Sequence, residues 1–320
     1  MIVRWGLEEL PALLDELGIS RPYLVASDRW SQLELPEAPR WSEVPSDRIV
    51  EIAAGASGAD GLIAVGGGSA IDLAKAVSAE TGLPLVSLPT TYSGAEWTTA
   101  FGIRDPARRM TGGGGGANLA GIIYEPELTV SLPRAETVGT AMNALAHCAE
   151  ALYVRSHNPA GDVAALEGAE TIGRELPRVA ADGPDLDART KLLHGAARAG
   201  EALARAGLAL AHAMAQALGG RYGLPHGAMN ALCLPPALRF NEPVAAAAIR
   251  RFGNALATDD AAGRVEELAR LGGFERLRDF GVPEEELDEV AEAAAGRAGA
   301  RMNPRPAAPA EIAQLLREIW

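Results

Sequence analysis

The chain has 320 residues and a formal charge of −13, from 29 Lys and Arg against 42 Asp and Glu. This excess of acid argues against nucleic acid or an anionic membrane as a partner, because binding to phosphate groups needs concentrated Lys and Arg. Although 48% of the residues are apolar, no run approaches the roughly 18 apolar residues of a membrane span. Glu8 and Glu9 stand where a signal peptide would be apolar. We therefore expect a cytoplasmic protein.

Short apolar runs in the first part of the chain predict β-strands. The runs lie at residues 22–26, 61–65, 83–88 and 120–124. Residues 70–79 carry apolar side chains at helical spacing and predict a helix. Continuous apolar strands joined by helical crossovers indicate a parallel sheet that is covered on both faces.

After Pro133 the sequence becomes rich in Ala and Leu, with apolar residues at helical spacing. Helices are expected over 134–153, 160–177, 187–219, 227–238, 243–257, 262–280, 284–298 and 308–319. We therefore predict an α/β domain with a Rossmann-like parallel sheet over residues 1–133 and an all-helical domain over residues 134–320. Cys148 and Cys233 fall in the helical part and are expected to be buried free thiols.

A run of five glycines lies within residues 111–117. Such a run is typical of a mobile surface loop, or of a place where the backbone must approach another group closely. The sequence leaves both interpretations open.

The segment Gly66-Gly67-Gly68-Ser69 forms a glycine loop between a predicted strand and a predicted helix. Glycines there let the backbone curl round an anion, and the start of a helix offers free N–H groups and positive dipole charge. The pattern is not the common G-x-G-x-x-G fingerprint, and taken alone it is equally well explained as a turn. Asp28 follows another strand, and Thr90 and Thr91 follow a third. Because parallel sheets bind ligands at the carboxyl ends of their strands, these neighbours favour a dinucleotide site.

Three of the five histidines form a suggestive series with two amides. Asn143 and His147 are four residues apart on a predicted helix, so their side chains share one face. His212 lies on a later helix with Gln216 one turn on, and His226 follows. Three imidazoles and one amide oxygen could surround a divalent metal. From spacing alone, hydrogen-bonded histidines in a core or cleft are the simpler interpretation.

Several other polar residues have a simple structural explanation, which for Arg109 is an alternative to contact with the substrate. His157 and His194 have no partner pattern and are expected at the surface or at helix caps. Lys75 is most simply a charge on a helix surface, Glu96 an acid in the first turn of a helix, and Arg109 a solvated loop charge.

Taken together, the ordered segments resemble the iron-containing (group III) alcohol dehydrogenase superfamily, and within it the maleylacetate reductases. The segments are GGGSAIDLAKAV at 66–77, LPTTYSGAEWT at 88–98, YEPELTVSLP at 124–133, MNALAHCAEALY at 142–153 and LAHAMAQALGGRYGLPHG at 210–227. The resemblance implies an N-terminal dinucleotide-binding domain, a helical C-terminal domain and a catalytic cleft between them, the dehydroquinate synthase-like architecture. It also implies a homodimer.

The resemblance matches His147, His212 and His226 to three histidine ligands of a catalytic Fe or Zn. Asn143 stands where the metal-dependent members carry an aspartate ligand. Without that carboxylate a dication would rest on neutral groups, which weakens its binding. Since the reductases are understood to work without a tightly held metal, the same residues are alternatively expected to bind substrate or to relay protons.

The substrate side departs from the reductase pattern. Gln216 replaces a second histidine, and an amide cannot act as a general acid near neutral pH. Arg109 keeps a positive charge at a position that is usually lysine, and we expect it, with Asn143, to contact the substrate. Residues 112–121 are glycine-rich where the reductases carry arginines, which clamp dicarboxylates. Arg104, Arg108 and Arg221 are the remaining candidates for such a clamp.

The predicted reaction is hydride transfer from NADH or NADPH to a carbon–carbon double bond or a carbonyl. The glycine loop would hold the pyrophosphate, and Thr90, Thr91 and Tyr92 would line the nicotinamide. Asp28 favours NAD, because a carboxylate repels the 2′-phosphate of NADP. Tyr92 is an alternative proton donor to the histidines, or else a hydrogen-bonded core aromatic; Asp28 is alternatively a helix cap.

Three rival functions remain open. The first is a metal-dependent alcohol or polyol dehydrogenase that uses Asn143 as a ligand. The second is a lyase related to dehydroquinate synthase, which would need a cluster of Lys and Arg that residues 134–260 do not offer. The third is a non-catalytic NAD-binding relative.

Overall fold

A six-stranded parallel sheet organises the first part of the chain in a computed structural model that describes all residues from Met1 to Trp320. The strands are β1 (Ile2–Trp5), β2 (Pro22–Ala26), β3 (Arg40–Trp41), β4 (Gly61–Gly66), β5 (Leu85–Pro89), β6 (Phe101–Arg104), β7 (Met110–Gly114) and β8 (Leu119–Tyr124). The sheet order is β1-β8-β5-β4-β2-β3, and β6 and β7 form a separate antiparallel pair. The predicted parallel sheet is confirmed, whereas the short edge strands β1 and β3 were not predicted.

Both faces of the sheet are covered, as its unbroken apolar strands require. The helices of this region are α1 (Leu10–Leu17), α2 (Ile49–Gly55) and α3 (Gly68–Thr81). On one face Leu13 of α1 packs in a core cluster with Ile63 and Val86. On the other face Ile52 of α2 and Ile71 of α3 belong to a cluster with alternate residues of the same strands.

The direction in which the strands are added reverses at β2. From β2 the chain first adds β3 on one side, and then adds β4, β5 and β8 in turn on the other side. Ligands of open α/β sheets bind at such a reversal, beyond the carboxyl ends of the strands. The ends of β2, β4 and β5 are therefore where the fold favours a ligand.

The five-glycine run contributes to a strand. Residues 110–114 form β7 and pair with β6, so the interpretation as a mobile loop is wrong for this part of the run. A methyl group built on Gly114 would lie 2.9 Å from Cζ of Phe101. The close approach to that ring agrees with the second interpretation.

The rest of the chain is helical. Its helices are α4 (Arg134–Ala151), α5 (Pro159–Ala181), α6 (Leu186–Ala206), α7 (Leu210–Tyr222), α8 (His226–Ala255), α9 (Ala261–Arg270), α10 (Leu287–Ala295), α11 (Ala298–Met302) and α12 (Pro309–Glu318). The single helix expected over 187–219 is two helices, because Gly207 ends α6 at a φ of +92°. Conversely, the two helices expected over 227–257 form α8, which kinks at Ala245. Cys148 and Cys233 are buried free thiols, as predicted.

The chain divides into two compact units. The N-terminal unit comprises Met1–Thr91 and Ala95–Ser131, and the helical unit comprises Tyr92–Gly94 and Leu132–Trp320. The boundary between Ser131 and Leu132 lies two residues before the predicted one. Three residues of the 89–94 loop, Tyr92–Gly94, belong to the helical unit. No helix combines the length and the apolar character that crossing a bilayer requires.

Candidate active site

The glycine loop of the N-terminal unit packs closely against neighbouring residues, which is why it needs glycine. Gly66 has a φ of +149°, and a methyl group on it would lie 2.7 Å from Cβ of Ala70. A methyl group on Gly67 would lie 2.8 Å from Cγ2 of Thr91. No side chain caps the start of α3. The first N–H groups of this helix are thus directed at the loop, an arrangement that suits the pyrophosphate of a dinucleotide.

The neighbouring segments lie at the same edge of the sheet. The register pairs Ala26 of β2 with Val65 of β4, and Gly66 with Pro89 of β5. The N–H of Thr90 donates to the carbonyl oxygen of Gly66 at 3.0 Å. Asp28, two residues beyond the end of β2, is exposed. The residues predicted to bind the cofactor in this unit therefore follow three adjacent strands.

A buried polar network lies beside this loop in the N-terminal unit. Lys75 is 1% exposed, so its assignment to a helix surface is wrong. Its Nζ donates to the carbonyl oxygens of Ala95 at 2.8 Å and Ala100 at 2.5 Å, and pairs with Asp72 at 2.8 Å. Three fixed acceptors compensate the desolvation of the ammonium group. Lys75 thereby ties α3 to the segment that leads into β6.

Glu96 lies in the first turn of a short helix, Ala95–Trp97, as predicted, and it is buried next to this lysine. Its Oε1 accepts a hydrogen bond from the hydroxyl of Tyr124 at 2.6 Å, and that hydroxyl accepts one from Nε1 of Trp97 at 2.7 Å. Its Oε2 is buried without a partner. Burial raises the pKa of Glu96, against the opposing effects of the Tyr124 hydrogen bond and the Lys75 charge.

The predicted histidines come together within the helical unit. His147 on α4 and His212 on α7 stack with ring centroids 4.7 Å apart and an interplanar angle of 15°. His226, the first residue of α8, lies with its ring centroid 5.8 Å from that of His212. Burial and the neighbouring His212 and His226 hold the pKa of His147 well below its usual range. His147 is therefore a neutral imidazole at physiological pH, and its Nδ1 is buried without a hydrogen-bond partner.

Asn143 lies in the same cluster, and its amide orientation is fixed. Its Nδ2 donates to the carbonyl oxygen of Ser93 at 2.9 Å. Its Oδ1 consequently faces inward, accepts from Nδ2 of Asn230 at 2.7 Å and lies 3.3 Å from Nε2 of His212. Nδ2 of Asn230 is also 3.0 Å from Nε2 of His226. Since this amide group can only donate, the lone pair of His226 Nε2 accepts and the ring carries its proton on Nδ1.

This donor set fits a catalytic metal poorly. Asn143 brings no negative charge, and the amide group of Asn230 already occupies both its Oδ1 and Nε2 of His226. No group of three His, Cys, Asp or Glu side chains in the chain converges closely enough to hold a metal ion. Two of the four ligands that the resemblance implies are thus engaged in hydrogen bonds.

Two residues of the cluster were not predicted from the sequence. Glu150 is fully buried on α4 and contacts His212, and Asn230 is fully buried on α8 and contacts His226. Both were detectable by spacing: Glu150 lies three residues after His147, and Asn230 four residues after His226, on the same helix faces.

Tyr92 is not placed as predicted. It belongs to the helical unit, is fully buried, and its hydroxyl accepts from Nη1 of the buried Arg189 at 3.1 Å. Its N–H donates to Oγ1 of Thr140 at 3.3 Å. A phenol that is fully buried is poorly placed to line the nicotinamide or to donate a proton to a substrate. The alternative interpretation, a hydrogen-bonded core aromatic, describes it.

The candidate substrate residues are only partly available. Arg109 lies in the β6–β7 turn, where its guanidinium pairs with Asp105 at 2.7 Å. Arg221 pairs with Glu286 and Glu289, each at 2.6 Å. These ion pairs reduce the charge that either arginine offers to a dicarboxylate. Gln216 is partly exposed on α7, one turn after His212.

Two further histidines lie at the surface, as expected, and two candidate arginines lie in the N-terminal unit. His157 and His194 are exposed, away from the stacked pair. Arg104 is partly buried, and its Nη1 donates to the carbonyl oxygen of Arg108 at 2.9 Å. Neither arginine lies in the helical unit that holds the histidines.

Comparison with known protein families covers most of the chain. Residues 137–320 match the model of the C-terminal part of the Fe-containing alcohol dehydrogenase family, and residues 3–115 match the iron-containing alcohol dehydrogenase model. The maleylacetate reductase of Burkholderia cepacia is 36% identical over 286 residues, which are 89% of this chain and 81% of that protein.

Solved structures agree with these sequence matches. An iron-containing alcohol dehydrogenase from Corynebacterium glutamicum superposes with a TM-score of 0.91 at 31% identity, covering 100% of this chain and 94% of the other. The maleylacetate reductase from Rhizobium sp. strain MTP-10005 gives a TM-score of 0.89 at 29% identity, with 100% and 95% coverage. The chain therefore belongs to the iron-containing alcohol dehydrogenase family and is an NAD(P)-dependent oxidoreductase.

Proposed function

We propose that the chain reduces an unsaturated keto acid of the maleylacetate type, without a tightly held metal. The observation that carries this proposal is the state of Asn143: it has no charge, and its Oδ1 is engaged by Asn230 at 2.7 Å. A metal-dependent dehydrogenase needs an available donor there, whereas a metal-free reductase does not. The likeness to the maleylacetate reductase of Burkholderia cepacia over 89% of the chain supports the same choice.

The reaction adds one hydride and one proton to the substrate. When bound, NADH or NADPH supplies the hydride and leaves as the oxidised form. The electron pair of the substrate double bond moves onto the conjugated carbonyl oxygen, and a proton then adds to the adjacent carbon. The protein's task is to stabilise negative charge on that oxygen and to supply the proton.

The histidines of the helical unit have separate parts in this proposal. His226 is partly exposed and carries its proton on Nδ1, because Asn230 donates to its Nε2. Its Nδ1–H therefore donates a hydrogen bond to the carbonyl oxygen of the substrate, where negative charge develops, and a water held in the site supplies the proton. His147 stays neutral, because burial disfavours its charged form. It accepts a hydrogen bond from the substrate or from a water, and Gln216 contributes an amide hydrogen bond.

The N-terminal unit holds the dinucleotide in this proposal. Gly67, Gly68 and Ser69 bind the pyrophosphate with the N–H groups at the start of α3, and Thr90 and Thr91 line the same site. Exposed Asp28 accepts hydrogen bonds from the ribose hydroxyls and repels a 2′-phosphate, so NAD is preferred over NADP. A homodimer and a cytoplasmic location are also proposed; light scattering of the purified protein tests the first.

Oxidation of NADH tests the function. The purified protein is assayed with maleylacetate and with a panel of neutral aldehydes and ketones, each with chelator and with added Fe²⁺ or Zn²⁺. We expect maleylacetate to be reduced at a rate that chelator leaves unchanged. Turnover of neutral substrates only, and only with metal, would establish the alcohol dehydrogenase alternative. Tight NADH binding without turnover of any compound would establish the non-catalytic one.

A further inference from the structure

We propose that Glu150 is a positioning residue of the active site, which fixes the protonated nitrogen and the orientation of the His212 ring. The inference rests on the proposed function for its catalytic consequence, and on contacts within the helical unit for its geometry. It assigns a function to a buried acid for which the resemblance supplied none.

The carboxylate of Glu150 is surrounded by N–H donors. It is 0% exposed. Its Oε2 accepts from the backbone N–H of Ala209 at 2.8 Å and lies 2.7 Å from Nδ1 of His212. Its Oε1 accepts from the backbone N–H of His212 at 3.2 Å. Because both oxygens already accept backbone bonds, the carboxylate is an acceptor towards the ring as well, and Nδ1 carries the proton.

These three bonds link the histidine to the beginning of its helix. Ala209 immediately precedes α7, so the carboxylate stabilises N–H groups at the positive end of that helix while it holds the ring of His212. On the opposite side of the ring, Nε2 lies 3.3 Å from Oδ1 of Asn143. With the proton on Nδ1 these two atoms are both acceptors and share no hydrogen bond, so the bond to Glu150 alone holds the ring. The ring also stacks on His147, which is on the same helix face as Glu150.

Replacing the acid by its amide should disturb the ring without removing the residue's volume. A glutamine has only one acceptor oxygen, and its amide group cannot face a protonated Nδ1. In one orientation its amide group faces Ala209 N–H and Nδ1 of the ring, and in the other it faces the backbone N–H of His212, so two donors oppose each other in either case. We expect the ring to move its proton to Nε2 or to shift with the start of α7. Either change alters the group that faces the substrate, whereas the dinucleotide site of the N-terminal unit stays intact.

Kinetics of Glu150→Gln test the catalytic consequence. We expect kcat for maleylacetate to fall by about 10- to 100-fold, because a misoriented His212 loses part of the contribution of acid–base catalysis, with an unchanged KM for NADH. The matched control is Glu175→Gln, since Glu175 is a 2% exposed acid of the same unit that pairs with Arg174 and Arg178. Glu175→Gln should keep the wild-type kcat. A wild-type kcat in Glu150→Gln would overturn the proposal.

Nitrogen-15 NMR of the unsubstituted protein tests the geometry without any substrate. The protein is labelled at histidine, and the His212 signals are identified by their loss in His212→Gln. We expect a proton on Nδ1 of His212 with the low-field shift of a short hydrogen bond, and its disappearance in Glu150→Gln. A neutral ring protonated on Nε2 would refute the assignment, even if Glu150→Gln did not fold. If the chain did not reduce maleylacetate, the proposed function would be contradicted. The NMR result would still decide whether Glu150 fixes the proton of His212, because that experiment uses no substrate.

Discussion

The side-chain amides of Asn143 and Asn230 lie beside His212 and His226 and influence which ring nitrogens carry protons. Asn143 is oriented by the carbonyl oxygen of Ser93, and Asn230 by Asn143, so a short series of donors and acceptors sets the protonated nitrogen of His226. Such a series admits few orientations, because each amide has one accepting and one donating end. Which nitrogen of His226 carries the proton therefore depends on whether the oxygen or the nitrogen of each amide faces the histidines.

Asn143→Asp should create metal affinity. The substitution supplies the missing anionic oxygen but places a carboxylate oxygen near the Ser93 carbonyl, so it should also destabilise the fold by about 1–3 kcal/mol. We expect Zn²⁺ to bind about tenfold more tightly than to the unsubstituted protein, as measured by calorimetry. Asn241→Asp is the control, because Asn241 is buried in the same unit and pairs with Asn303 instead. Equal affinities in the two variants would show that position 143 does not face a cation site.

Tyr92→Phe should affect stability rather than catalysis. The variant removes the acceptor of a buried arginine N–H bond, which should lower the free energy of unfolding by about 1.5–3 kcal/mol in urea titrations. Because the phenol is fully buried, kcat should stay at the wild-type value. A large fall in kcat in a stably folded variant would restore Tyr92 as proton donor.

Several residues show why the site was only partly predictable. The histidines and Asn143 were found because helical spacing and order along the chain carry that information. Glu150 and Asn230 were missed because their role depends on which distant helix packs against their own. Lys75 was wrongly placed at the surface because a charged residue type favours exposure, and here backbone carbonyls compensate its burial. The burial of Glu96, which a tyrosine hydroxyl compensates, was not predicted.

At the scale of elements, α4 and α8 approach each other through glycines. A methyl group on Gly227 would lie 2.3 Å from the carbonyl oxygen of Gly139, a clash of backbone that no side-chain rotation relieves. Gly227 directly follows His226. The distance between these two helices therefore helps to determine where the imidazole of His226 lies.

Gly227→Ala should consequently separate the two helices. We expect a loss of about 1–3 kcal/mol in unfolding free energy, the usual effect of overpacking, together with reduced kcat. In Gly296→Ala, where the nearest atom to the new methyl group is 3.7 Å away, both quantities should be unchanged. Equal stability of the two variants, measured by urea unfolding, would contradict the close contact.

The short helix Ala95–Trp97 is connected to the end of β8 through the hydrogen bond between Glu96 and Tyr124, which makes this region sensitive to pH. A raised folded-state pKa means that the contribution of Glu96 to stability is complete below its usual value of 4.5 and is lost as pH rises through the folded value. Relative to Glu96→Gln, the unsubstituted protein should therefore lose stability from acid to neutral pH. Urea titrations across that range measure the difference; parallel curves for the two proteins would contradict it.

Elements were predicted better than their ends. The strands β2, β4, β5 and β8 stand out in the sequence because they are apolar throughout. The break between α6 and α7 was missed because Gly207 lies in a continuous Ala- and Leu-rich run, where helical spacing hides a single positive φ. The glycines of β7 have no side chains to indicate a strand, and only pairing with β6 reveals it.

For the whole molecule, the two units should respond differently to the dinucleotide. At a concentration 100 times its Kd, NADH should stabilise what it binds by about 2.7 kcal/mol. We expect amide hydrogen exchange to slow at residues 67–69, while exchange in α12 stays unchanged. Exchange at 67–69 that NADH does not slow would place the cofactor elsewhere.

Residues Tyr92–Gly94 give the molecule one further property. The chain passes between the two compact units three times, after Thr91, after Gly94 and after Ser131, because this short piece lies with the helices. Suppose that residues 1–131 are replaced as one continuous segment by those of a relative. The relative's own version of this piece then replaces Ser93, whose carbonyl oxygen accepts the hydrogen bond from Asn143. A chimera that exchanges residues 1–131 as one block would therefore have to restore these three residues to keep the bond between Ser93 and Asn143.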